Sequence, residues 1–195
     1  MRGRTLKQAL FSRLKQQTKR LRKDQRGVSA IEFALIFPIL IVLFAGAVDL
    51  GQALMVHRKI NQIVGTTTDI VSRDPSWTAS KLDAVLKGAS SIILPFKTSD
   101  LKLTVMVVDI NSANQATVNW ARGYNVDPPK YGDKSPVAIP ADIVEPGVQL
   151  VTAEATYSLV TPFASLMQSL TGSSAYNYDR FSIMRPRVND TIKMN

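Results

Sequence analysis

The chain has 195 residues, 45% of them hydrophobic, which is typical of one ordinary folded domain with an appendage. It contains no cysteine and a single histidine, His57, which excludes disulfides, thiolate metal sites and sites built from several histidines. Its formal net charge of +9 would suit a nucleic-acid-binding protein if the charge were spread over a folded surface.

The positive charge is concentrated at the N-terminus. Residues 1–26 contain ten lysines and arginines and one acid, Asp24, so the rest of the chain keeps 14 of the 24 basic and 14 of the 15 acidic residues. We therefore interpret residues 1–27 as a basic cytoplasmic leader. Membrane targeting accounts for this charge, and no run of aromatic residues alternates with the basic ones, so no nucleic-acid partner is predicted.

An apolar segment follows the leader. Residues 33–48 carry no ionisable group, and at about 1.5 Å per residue they cover roughly 24 Å, so apolar flanking residues complete a bilayer crossing of about 30 Å. This predicts a transmembrane helix over residues 28–52, in contact with the lipid bilayer. Basic residues before the helix and a neutral balance after it predict a single-pass protein of the bacterial inner membrane, with a cytoplasmic N-terminus and residues 53–195 in the periplasm. Asp49 is expected at the outer interface, solvated by water.

Beyond the bilayer the apolar pattern becomes amphipathic. Apolar residues recur every three or four positions over residues 53–71, which predicts that the helix continues. It is expected to stop at Asp74-Pro75, because proline cannot continue the helical hydrogen-bond ladder. Ser76 is expected to cap a second short helix whose apolar residues face inward.

The rest of the chain predicts an antiparallel sheet. Apolar and polar side chains alternate in several short runs, and in one of them Val151 is expected on a buried face and Thr152 on a wet one. The predicted strands cover residues 101–108, 116–122, 148–160 and 175–185, with a hairpin turn at 111–115, a long loop over 123–147 that contains one short turn, and a short helix at 163–170. The predicted fold class is α+β, a long and partly transmembrane N-terminal helix packed on an antiparallel sheet of about four strands.

The segment that carries chemistry is Arg26-Gly27-Val28-Ser29-Ala30-Ile31-Glu32-Phe33. It resembles the processing site of type IV prepilins, in which a membrane peptidase cuts after the glycine and a glutamate becomes the fifth mature residue. The resemblance implies cleavage between Gly27 and Val28, with Glu32 fifth and Phe33 sixth in the mature chain.

Glu32 also has a physical interpretation of its own. A carboxylate in a membrane helix is costly and indicates function by default. Cleavage after Gly27 would place the new amino group of Val28 four residues before Glu32, where opposite charges are neighbours on a helix. A neighbouring subunit's amino group is an alternative partner, and an interfacial acid that reaches water is the simplest alternative.

The whole stretch from Arg26 to Leu54 resembles the TadE family, minor pilins or pseudopilins of the tight-adherence (Tad, or Flp) pilus system. The resemblance is carried by Arg26, Gly27, Glu32-Phe33-Ala34, Pro38 and Asp49-Leu50-Gly51. It implies a pilin-like fold and a part in assembling the pilus. The partners it implies are other pilins or pseudopilins, the prepilin peptidase and the inner-membrane pilus platform.

Pro38 lies in the middle of the predicted span. It removes one backbone donor, so it is expected either to kink the helix or to be an ordinary tolerated membrane proline.

Two other processing histories fit the same N-terminal segment. Ala45-Gly46-Ala47 has the small-residue pattern of signal peptidase, and cleavage after Ala47 would release a secreted protein that starts at Val48. An uncleaved anchor that holds a periplasmic binding domain is the other alternative.

An enzyme is not predicted, and neither is a cofactor. His57 has no serine and acid in a recognisable catalytic arrangement and is expected to be interfacial or exposed. The loop acids Asp127, Asp133, Asp142 and Glu145 lack the spacing of a calcium loop. Trp120, Tyr176 and Tyr178 are expected in the core of the sheet because they lie on strands.

Overall fold

A computed structural model describes residues 27–172 and 174–195. The chain divides into two compact units, Met1–Ala47 and Val48–Asn195. Of the first unit the structure describes residues 27–47, which form the N-terminal part of the first helix. The predicted leader, apart from Gly27, lies outside the described residues.

Helix α1 runs from Val28 to Ser72, which confirms that the apolar helix continues into the amphipathic segment. It ends just before the predicted stop at Asp74-Pro75. In the second unit one side of the helix packs into the core, and its buried apolar residues there are Ala53, Val56, Ile60, Ile63, Val64 and Val71. Two threonines on this side, Thr67 and Thr68, satisfy their hydroxyls by donating to the carbonyls of Ile63 and Val64 one turn earlier.

The segment after α1 differs from the prediction. Ser76 does not cap the next helix, because Ser76–Trp77 forms a short strand, β1, that pairs in parallel with Lys193–Met194 near the C-terminus. This pairing holds Ser76 extended and moves the start of the helix two residues on. Helix α2 spans Ala79–Ser90 and is capped by Thr78, whose hydroxyl accepts an N–H of the first turn at 3.4 Å.

Four long strands form the predicted antiparallel sheet. They are β2 (Leu101–Ile110), β3 (Ala116–Tyr124), β4 (Gln149–Leu159) and β5 (Tyr176–Met184), and helix α3 (Ala164–Thr171) connects the last two. Their spatial order is β3-β2-β4-β5, with every neighbouring pair antiparallel. The fold class predicted from the sequence is therefore confirmed. The two-residue strand Lys193–Met194 is β6.

The sheet is buried on both faces over part of its length. One face packs on α1 and α2 through alternating residues such as Leu103, Val107 and Val151. The second face carries a smaller cluster, which includes Met106 and is covered by Val137 from the long loop.

The prediction that Thr152 lies on a wet face is wrong for this reason. Thr152 pairs with Met106 on one side and Ile183 on the other, and it is fully buried. Its hydroxyl has no hydrogen-bond partner among residues 27–172 and 174–195. The wet part of this face begins farther along β4, where Ser158 is exposed.

Candidate processing and assembly site

Gly27 and Val28 lie at the start of α1. Gly27 directly precedes the α-helix, which begins at Val28, and both residues are exposed. A Cβ atom built on Gly27 would meet no atom within 4 Å. The described fold therefore gives no packing reason for a glycine at this position.

Glu32 lies four residues after Val28 on the exposed surface of α1. Positions four apart are adjacent on a helix, with Cβ atoms about 5–6 Å from each other. Phe33 is also exposed, and its ring lies 5.3 Å from the ring of Phe37, centroid to centroid. The arrangement places a carboxylate one turn from the Val28 nitrogen and an aromatic pair beside it.

The helix between these residues and the folded unit is apolar and uncovered. The most apolar 18-residue window of α1 has a mean hydropathy of 2.6 and is 6% buried, so by length and composition the helix can cross a membrane. Pro38 lies inside this helix, which is α-helical on both sides of it. The low burial distinguishes the segment from the core helix of a soluble protein.

Asp49 is not solvated as the sequence suggested. Its side chain is fully buried within the second unit, where the Thr161 hydroxyl donates to Oδ2 at 2.6 Å and the Phe163 N–H donates to Oδ1 at 3.3 Å. The residue therefore fastens the segment between β4 and α3 to α1. Sequence reasoning missed this role because Thr161 lies 112 residues away along the chain.

Tyrosines from β5 approach the same stretch of helix. Tyr178 donates its hydroxyl to the Ala53 carbonyl at 2.7 Å, and partial burial raises the pKa of this hydroxyl. Its ring lies 6.3 Å from the ring of His57, which is half-buried rather than exposed. Tyr176 is 39% exposed, so the prediction that it is a core residue is wrong.

Trp120 is a core residue as predicted. It is buried on β3, and its indole N–H donates to the Ile192 carbonyl at 3.0 Å. The backbone N–H of Ile192 in turn donates to the side-chain oxygen of Gln149. These two bonds hold the C-terminal segment against the sheet.

The loop acids are dispersed. Asp133 accepts a backbone N–H of its own turn, from Lys130, and Glu145 forms an exposed ion pair with Arg185. Within residues 27–172 and 174–195 no three acidic or histidine side chains come together in a group that could hold a metal ion.

A family model described as TadE-like protein matches residues 27–66. The matched segment contains Gly27, Val28, Glu32 and Pro38 and ends within α1. The resemblance predicted from the sequence is thereby confirmed over this segment. The TadE-like family is one of structural, pilin-like proteins associated with the Tad pilus. No curated protein and no solved structure matches the chain.

Proposed function

We propose that this protein is a minor pilin or pseudopilin that assists assembly of a tight-adherence pilus. The bacterial inner membrane holds it by the N-terminal half of α1, with residues 1–27 in the cytoplasm and the folded unit in the periplasm. A prepilin peptidase removes residues 1–27, and the protein then meets other pilins and the inner-membrane platform. Its work is assembly and not catalysis.

The observation that carries the proposal is the combination at the start of α1. An uncovered apolar helix begins at Val28, directly after a glycine that the described fold does not require, and Glu32 is exposed one turn later. The family match begins at residue 27, the glycine of the proposed cut. Apolar side chains alone would suit any membrane anchor, whereas the glycine and the glutamate at this spacing favour a processed pilin.

Glu32 acts in this proposal as a charge that sets the register between helices. A carboxylate surrounded by apolar helices needs a compensating amine, because removing a charge from water costs several kcal/mol when it stays unpaired. The amino group of a cleaved Val28, in the same chain or in a neighbouring one, is the partner available at this depth. Only helices aligned to bring the two groups together would avoid that cost.

Cleavage is tested by a matched pair of substitutions. Gly27→Leu places a large side chain at the proposed cut, and Ala47→Leu does the same at the alternative signal-peptidase position; both residues are exposed on the described chain. We expect Gly27→Leu to leave the leader attached and Ala47→Leu to leave cleavage unchanged, as read from the intact mass of the membrane-extracted protein. The opposite pattern would contradict processing by a prepilin peptidase.

The role of Glu32 is tested separately from cleavage. Glu32→Gln keeps the size of the side chain and removes its charge, so we expect normal cleavage with loss of most surface pili. Glu145→Gln is the matched control, because Glu145 lies on the surface of the folded unit in an exposed ion pair, and it should leave the pilus count unchanged. Normal piliation of the Glu32→Gln strain would contradict the proposal that the charge of Glu32 sets the register between helices.

One observation favours a second candidate, a secreted protein. The compact unit begins at Val48, the residue that would become the N-terminus after cleavage following Ala47. Such a product would keep the whole sheet and its core. Retention of the leader-free protein in the membrane fraction would exclude it, since cleavage at Ala47 removes the apolar segment.

A further inference from the structure

Five of the exposed apolar side chains of the folded unit lie near the first turns of α1 in that unit. They come from α1, from the segment before β2, from the residue after β4 and from the start of β5. Their exposed fractions are 55% for Leu50, 52% for Leu54, 56% for Leu94, 69% for Val160 and 39% for Tyr176. We call these five residues the collar.

Three contacts place the collar at the level of the first turns of α1 in this unit. Thr161, next to Val160, hydrogen-bonds to Asp49. Tyr176 pairs with Leu159 at the end of the β4–β5 ladder. Pro95, next to Leu94, lines one cavity together with Gln52 and Val160. The collar therefore lies close to the point at which the chain enters the folded unit.

The distribution of the collar around this point indicates the shape of its partner. A neighbouring helix that packs alongside α1 would cover a stripe on one side of it. The collar instead draws on four separate chain segments near the same stretch of α1, which suits a broad surface better than a single helix. Tyrosine at such a level is typical of a membrane–water interface, where its ring is buried and its hydroxyl stays wet.

The chain itself brings a membrane to this level. Val48, the last residue of the stretch without ionisable groups, directly precedes Asp49. At about 1.5 Å per residue, Leu50 and Leu54 lie roughly 3 and 9 Å beyond it along the helix, within the depth of a headgroup region.

We propose that the collar rests on the periplasmic leaflet of the bilayer, so that the folded unit is docked on the lipid surface and not only tethered to it. This inference relies on the membrane span of the proposed function. Leu94 and Val160 insert shallowly between headgroups, and Tyr176 sits at the polar boundary. The contact is made by apolar side chains and requires no specific lipid.

The absence of cysteine from the chain makes the test direct. Leu94→Cys and Val160→Cys are each labelled with an environment-sensitive fluorophore in the full-length protein reconstituted in phosphatidylcholine vesicles. Leu40→Cys, in the proposed membrane span, is the control for a label buried in lipid. Tyr131→Cys, at a loop position that is 82% exposed, is the control for a label in water. Lipids with a nitroxide near the headgroup or deep in the acyl chain serve as quenchers.

We expect blue-shifted emission and loss of fluorescence with the shallow quencher at positions 94 and 160, quenching by the deep nitroxide at 40, and neither effect at 131. Labels at 94 and 160 that behave like the label at 131, while the label at 40 is quenched, would overturn the docking and leave the span intact. An unquenched label at 40 would overturn the span and the docking together. A blue shift that rises with the protein-to-lipid ratio without nitroxide quenching would show that a second copy covers the collar, which also overturns the proposal.

Discussion

Asp49 is a buried acidic side chain with both oxygens in hydrogen bonds, and its contribution to stability follows from that environment. Asp49→Ala removes the acceptor of the buried Thr161 hydroxyl, and a buried polar group without a partner costs about 1–3 kcal/mol. We expect the melting temperature of the full chain in detergent micelles to fall by several degrees. The fluorescence of Trp77 and Trp120, both buried in the folded unit, reports the transition.

The control for Asp49 is Asp127→Ala, since Asp127 is an exposed loop residue. Exposed substitutions of this kind usually change stability by no more than about 0.5 kcal/mol. Equal melting temperatures for Asp49→Ala and Asp127→Ala would contradict a structural role for the Asp49 contacts.

Glu154 gives the stability a pH dependence. Burial, and then the charge of Asp179, raise the pKa of Glu154, so the folded protein disfavours its ionised form. This destabilisation is absent at acid pH, where the group is protonated in both states, and it develops as the pH rises from the ordinary glutamate range through the raised pKa. Glu154→Gln should therefore melt at the same temperature as the natural protein near pH 4 and at a higher one at pH 7.

The measurement for Glu154 compares melting temperatures at the two pH values. Asp83, whose pKa is lowered by hydrogen bonding to Arg122, has the opposite linkage, since its contribution is present at neutral pH and lost on acidification. Asp83→Asn is thus a control expected to destabilise at pH 7 and to have little effect at acid pH. A Glu154→Gln protein less stable than the natural one at pH 7 would contradict the assigned environment.

Among the elements, the end of β3 depends on a glycine. A Cβ atom on Gly123 would lie 2.1 Å from the Val126 carbonyl oxygen, so any side chain there must displace the backbone of the loop. We expect Gly123→Ala to destabilise the protein by about 1–3 kcal/mol, as overpacking does.

A glycine-to-alanine substitution in α2 should have the opposite effect on the stability of the protein. Gly88 is exposed in the last turn of that helix, and an added Cβ meets no atom within 4 Å. Gly88→Ala should stabilise the helix by up to about 1 kcal/mol, because alanine is the better helix former. Thermal unfolding of both variants checks the pair, and loss of stability in Gly88→Ala but not in Gly123→Ala would contradict the packing described here.

The sequence predicted the elements that carry a periodic pattern. The period of three to four from Ala53 to Val71 gave the buried side of α1, and period two gave the strands. It did not predict that Val137, in a loop rich in proline and glycine, covers the second face of the sheet. Irregular backbone has no periodic pattern of apolar residues from which burial could be predicted. The pairing of Ser76 with Lys193 escaped prediction because its partner is distant in sequence and each strand has only two residues.

Residues of the candidate site fall into two groups, those that form a local sequence pattern and those whose environment depends on distant residues. Gly27, Val28 and Glu32 form a local pattern within six positions, so they were identified from sequence, and their roles in processing and assembly remain proposals. Asp49 was expected to be solvated, and this environment was wrong because its burial depends on Thr161, which is distant in sequence.

At the scale of the whole molecule, one helix serves two environments. Residues 28–44 present mostly exposed apolar side chains, whereas from Ala53 onward one side of the helix belongs to the core of the sheet. Apolar surface of this extent needs lipid or other protein around it. A pilin that moves from the membrane into a fibre exchanges its lipid surroundings for contacts with other pilins. The proposed function assigns this behaviour to this protein.

The N-terminal residue of the mature protein is the most direct test of this account. The protein is extracted from membranes of a strain with active pilus machinery, and its N-terminus is read by Edman sequencing and intact mass. The account predicts Val28 as the first residue. A chain that starts at Met1 or at Val48 would contradict it.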